Sequence, residues 1–153
     1  MAINNLYTTT AVLQQAKQEY DKQQPRHIRL PQFFQPTVFT LLQQKLIKQK
    51  YQQKFHPYKY RYSTTKLKEI DAFVKGKYFK TLVKEIIGMT ECKINYEITK
   101  FSAGDYTLLH DAKQEQTGVD FIIDFSSEPP SLEGHTVYLT EKEELLRTNP
   151  FPN

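Results

Sequence analysis

At 153 residues, with 39% hydrophobic and 13% aromatic content, the chain is long enough for one domain with a real core and too apolar for a disordered segment. The formal net charge is +4, no apolar run approaches the roughly 20 residues needed to cross a bilayer, and the lone Cys92 excludes an intrachain disulfide or a multi-cysteine zinc site. The N-terminus has no basic stretch followed by an apolar one, so a cytoplasmic setting is expected, with no secretory leader and no membrane partner.

The first third reads as helical. Thr10 to Tyr20 carries Val12, Leu13, Ala16 and Tyr20 at helical spacing, with Thr10 as a cap and Pro25 as the closing residue. A short extended piece, His27 to Leu30, leads to Pro31-Gln-Phe-Phe-Gln-Pro36. The next helix is predicted over Thr37 to Ile47, with Val38, Leu41, Leu42, Leu46 and Ile47 as its core stripe. Tyr51 to Tyr62 alternates aromatic and basic residues, which suits a strand with one aromatic and one wet face.

Two further helices are predicted over Thr65 to Val74 and Tyr78 to Ile87, each stopped by a glycine, Gly76 and Gly88. The second turns Phe79, Leu82, Val83, Ile86 and Ile87 inward. From there the apolar period changes from 3.6 to two. Cys92 to Phe101 puts Ile94, Tyr96 and Ile98 on one face, and Tyr106 to His110, Val119 to Phe125 and His135 to Leu139 are further strands. Helices followed by strands predict an α+β chain with an antiparallel sheet or barrel, helical over about 1–90 and β over about 91–153, in a single domain.

Charge is unevenly spread. Between Lys45 and Lys84 the basic residues are opposed only by Glu69 and Asp71, whereas acidic residues dominate after Phe101. Such polarity suits a solvated helical face, or a surface for nucleic acid or an acidic protein partner. The interleaved tyrosines and lysines of 51–62 also suit stacked bases and bound phosphates.

Taken in order, several segments resemble the prolyl-4-hydroxylase-like branch of the iron(II)- and 2-oxoglutarate-dependent oxygenases. They are Gln32-Phe-Phe34 before a helix, Ala72 to Met89, the strand Gly104-Asp-Tyr-Thr-Leu-Leu-His-Asp111, Val119 to Phe125, the turn Glu133-Gly-His-Thr-Val-Tyr138, and Asn149-Pro-Phe-Pro-Asn153. The resemblance implies N-terminal helices packed on a double-stranded β-helix, or jelly roll. Its cofactors would be Fe(II), held by two histidines and a carboxylate, and 2-oxoglutarate, and its substrate a protein prolyl residue. By position His110 is the first metal histidine.

The carboxylate belongs two residues later, on the same face of the strand, where this chain has Ala112. Asp111 points the other way in a regular strand. The second histidine and the basic anchor for 2-oxoglutarate belong on strands after position 153, and Phe101 stands near where relatives use a tyrosine hydroxyl. The resemblance thus implies a degenerate or truncated dioxygenase, inactive as this chain alone. An alanine at the carboxylate position also matches halide-binding iron enzymes at that one residue. The competing expectations are a non-catalytic binding module using the basic region, and a scaffold completed by a partner subunit.

Overall fold

The computed structural model describes residues 3–89, 93–108, 118–126, 136–139 and 142–148. Among them the chain is mixed α+β, with four α-helices and antiparallel sheets that do not close. No described helix is long and apolar enough to cross a membrane.

A 3-10 turn, Asn5–Thr8, leads into α1, Thr10–Lys22. α1 buries Ala16 and Tyr20 and leaves Val12 and Leu13 half-buried against the core. Its cap position is Thr9, whose hydroxyl donates back to the Leu6 carbonyl and leaves the helix N–H groups uncapped. α2, Pro36–Ile47, starts with a proline, whose fixed φ and missing N–H suit the first helical position.

α2 corrects one detail of the sequence reading. Leu42 and Leu46 are buried and Val38 and Phe39 pack beside them, but Leu41 is 52% and Ile47 75% exposed. A helix turns about 100° per residue, so Leu41 sits a quarter-turn off the buried line of Leu42. Apolar identity alone did not define the face.

A hairpin follows, inside the segment read as mainly helical. β1, Gln52–His56, pairs antiparallel with β2, Tyr60–Thr65, in the register Lys54 with Tyr62 and His56 with Tyr60. The turn is closed by the Lys59 N–H donating to the His56 carbonyl at 3.0 Å. Pro57 explains why the aromatic run cannot be one strand, since proline cannot donate to a ladder.

α3, Lys68–Lys75, and α4, Lys77–Ile87, follow and pack on each other, and α4 also packs on α1. α4 buries Phe79, Leu82, Val83 and Ile86, the stripe its spacing predicts. Gly88 ends it at φ 82°, the left-handed conformation that glycine adopts without a Cβ clash.

β3, Ile98–Lys100, and β4, Tyr106–Thr107, both pair with β2 on the side opposite β1. The strand expected over Cys92 to Phe101 is thus formed only over Ile98–Lys100 among the described residues, and ahead of it Ile94 and Tyr96 are half-buried against the core. β5, Thr136–Leu139, and β6, Glu144–Thr148, form a separate two-stranded ribbon. Residues 118–126 join no ladder, although a strand is expected over Val119 to Phe125.

The core is aromatic. Phe34 is fully buried and Phe33 nearly so. Phe34 meets Phe73 edge-on at 5.4 Å and Phe125 at 6.1 Å, while Phe33 meets Tyr7, Phe73 and Phe121. Phe79 closes the ring by touching both Phe73 and Phe121. Polar ties surround it. The Tyr78 hydroxyl donates to the Tyr7 carbonyl at 2.8 Å, and the Gln43 amide donates to the Phe125 and Ser126 carbonyls.

Two outcomes follow. Phe34→Ala should lower unfolding free energy by about 3–5 kcal/mol, the usual loss for a buried phenylalanine, read from a urea midpoint at unchanged slope. A loss below about 1 kcal/mol would show that the ring is replaceable. Glu69, at the start of α3, is ion-paired with Lys45 in the last turn of α2. The Lys45 hydrogen bond holds its carboxyl below the ordinary 4.5. A lowered folded value stabilises above pH 4.5 and fades as pH falls through it. The urea midpoint of Glu69→Gln should therefore sit below that of the unaltered chain near neutral pH, and the two should converge in acid.

Candidate functional site

The residues that lead to the expected metal position are built around β2. After β3 the chain reverses through Ser102 to Asp105, where Gly104 at φ 81° takes the left-handed turn position. The Asp105 carboxylate accepts from the Ser102 N–H at 2.8 Å, and the Asp105 N–H donates to the Ser102 carbonyl at 2.8 Å. Its other oxygen meets the Arg61 guanidinium at 3.2 Å, and the Asp105 side chain is only 6% exposed. One carboxylate thus closes the turn and clamps it to β2.

β4 then runs antiparallel to β2, with Tyr106 opposite Arg61 and Thr107 opposite Tyr60. The Leu108 N–H continues the pairing by donating to the Lys59 carbonyl at 2.7 Å, and the Tyr106 hydroxyl donates to the Pro57 carbonyl. His110, Asp111 and Ala112 lie outside the described residues, as do the turn histidine His135 and Asn149 to Asn153.

The other histidines are engaged locally. His27 Nδ1 lies 2.7 Å from the Pro25 carbonyl, which can only accept, so that nitrogen carries the proton. His56 Nδ1 accepts from the Tyr58 N–H at 3.3 Å. Among the described residues no three His, Cys, Asp or Glu side chains cluster in a way that would hold a metal. A groove of about 440 Å³ on the outer face of α2 is lined by Pro36, Thr37, Thr40, Leu41 and Gln44, with no acid, base or thiol to do chemistry.

What the structure does assemble is an aromatic row on the hairpin. Tyr60 and Tyr62 are two apart on β2 and share a face, with ring centroids 5.2 Å apart. His56 lies across the ladder from Tyr60, at 6.0 Å, and Tyr58 in the turn follows at 6.5 Å. At the other end Tyr62 meets Phe101 at 5.6 Å. Burial, then the Glu97 carboxylate that its hydroxyl faces, push the Tyr62 phenol above its ordinary 10.0. Lys100, from β3, stands over the Tyr51 ring at 5.4 Å.

Phe101 is the member that sequence reasoning assigned elsewhere. It was expected near a 2-oxoglutarate hydroxyl position, and it is 53% exposed beside Tyr62. Only the β2–β3 register, with Ser63 opposite Lys100, brings the two rings together. The Arg61–Asp105 clamp likewise had no local signal, because its two members are far apart in the chain.

Compared with protein-family models the chain matches none, and comparison with curated proteins also returns no match. The site is therefore interpreted from its own residues.

Asp105→Ala should destabilise the chain by about 1–3 kcal/mol, since it removes two charge-assisted bonds from one buried carboxylate. The half-exposed Arg61 places the loss toward the lower end. Asp105→Asn should lose less, because its amide oxygen still accepts from Ser102. Chemical denaturation of the two variants checks this, and equal stability of Asp105→Ala and the unaltered chain would contradict the clamp.

Proposed function

We propose that this chain is a prolyl-4-hydroxylase-like oxygenase scaffold whose metal cage lacks its acidic arm. On this reading the helices pack against strands belonging to a double-stranded β-helix. The parent activity is Fe(II)- and 2-oxoglutarate-dependent hydroxylation of a protein prolyl residue. The supporting observation is the aromatic core. Gln32 to Phe34, Ala72 to Met89 and Val119 to Phe125 each carry part of the resemblance, and their phenylalanines meet there. Phe33, Phe73, Phe79 and Phe121 form a closed set of contacts between segments far apart in sequence.

The donor set decides how far the activity carries over. His110 offers one imidazole, and the position two residues on, which shares its face in a strand, is Ala112. In a regular strand Asp111 would fall on the opposite face. With alanine at that position this strand does not fit its share of a facial triad, and Fe(II) sits low in the divalent affinity order, so a site short of its carboxylate holds it poorly. No reaction step is assigned to iron here. The scaffold reads instead as a binding domain derived from an enzyme architecture.

Restoring the missing arm tests this reading. Ala112→Asp should raise affinity for Co(II), titrated anaerobically as a spectroscopic stand-in for Fe(II), at least about tenfold, or about 1.4 kcal/mol. Adding His110→Ala to that variant should return it to the starting level. No gain from Ala112→Asp, or a gain that survives loss of His110, overturns the assignment. Sustained succinate production from 2-oxoglutarate by the unaltered chain would overturn the degenerate part.

A further inference from the structure

The β1–β2 hairpin stands outside the aromatic core. β1 buries none of its residues, and β2 buries only Thr64. Yet the hairpin face carries rings that a globular protein would ordinarily cover. Tyr58 is 81% exposed and Phe101 53%, at the two ends of the row that runs through His56, Tyr60 and Tyr62. Isolated exposed aromatics need no explanation, but a continuous row of five does.

Cations accompany the row. Lys54 is the ladder partner of Tyr62 and shares its face, and Lys59 lies in the turn beside Tyr58. Neither ammonium group is in an ion pair among the described residues. Of the carboxylates that touch this sheet, Asp105 is paired with Arg61 on the opposite face, while Glu97 keeps its charge at the Tyr62 end of the row, 3.5 Å from that hydroxyl and away from the turn that bears Lys59. The face therefore presents flat apolar rings interleaved with positive charge that no described carboxylate pairs.

We infer that this sheet face docks single-stranded nucleic acid, with bases stacking on the ring row and phosphates meeting Lys54 and Lys59. A single strand alternates flat bases with negative charge, and so matches both features together. An acidic peptide would meet the lysines and leave the rings in water. A duplex keeps its base faces stacked on one another. The inference stands on the hairpin and does not depend on the metal position.

The test uses the full chain and fluorescence anisotropy with labelled oligothymidylate and oligouridylate of about 12 nucleotides, within the span such surfaces cover. Unlabelled duplex DNA, heparin and polyglutamate serve as competitors. The single strands should bind and weaken from about 50 to 200 mM salt, with a log–log slope of about −1.4 for two phosphate contacts. Tyr58→Ala and Phe101→Ala, both at exposed positions, should each weaken binding roughly five- to a hundredfold with circular dichroism unchanged. Lys54→Ala should flatten the salt slope by about 0.7. Absence of binding at the lowest salt overturns the inference. So does binding that the aromatic substitutions leave intact, or that heparin or polyglutamate displaces more readily than unlabelled oligonucleotide, since charge alone would then account for it.

Discussion

The contact on which the rest of this structure depends is the packing of Phe33 and Phe34 against phenylalanines from two other segments, α3 and 118–126. These consecutive residues are both buried, which a strand with one face in water would not allow, because its neighbours face opposite ways. Gln32, just ahead, sits at φ 50°, a left-handed conformation uncommon for a residue with a side chain. The Phe33 carbonyl accepts from the Asn4 N–H at 2.9 Å, and Phe34 bridges to Ile3. The kinked segment thus enters the core with both rings and lets the Asn5–Thr8 turn, α3 and the 118–126 segment pack around one pair of residues. Edge-on aromatic pairs add about 0.5–1.5 kcal/mol each beyond the area they bury.

β2 plays the corresponding role in the sheet. It is paired on one side by β1 and on the other by β3 and β4, so one strand sets the register of the hairpin and of the approach to position 110. The same strand holds Tyr60 and Tyr62 on one face and Arg61 on the other. The face with tyrosines continues the ring row, whereas the opposite face anchors the turn through Asp105. Alternation of side chains lets one short strand serve two separate tasks without conflict.

Much of the helical layer was legible because periodic burial is a local property. α4 declares itself through Phe79, Leu82, Val83 and Ile86 and through the glycine that stops it. The strands were legible as facing patterns but not as pairings. Residues 119–125 alternate well enough to place Ile123 and Phe125 against the core, yet they join no ladder, since a ladder needs a partner strand that composition cannot name. β6, Glu144–Thr148, has two leucines side by side between charged residues, so no period of two marks it. The histidine and the missing carboxylate were readable as types two residues apart. The exposed ring row was only half readable, because Phe101 joins it through register alone.

The β5–β6 ribbon has a dependence of its own. Two strands by themselves are barely stable in water. Among the described residues, the Tyr138 hydroxyl donates to the Asp120 carboxylate at 3.0 Å and moors the ribbon to the segment that bears Phe121. Burial, with the Asp120 charge beside it, pushes that phenol up to about 12, so the mooring is complete below pH 10 and slackens as alkali approaches that higher value. Deprotonation would set phenolate against carboxylate, and the small ribbon would come adrift while the phenylalanine nucleus stayed intact.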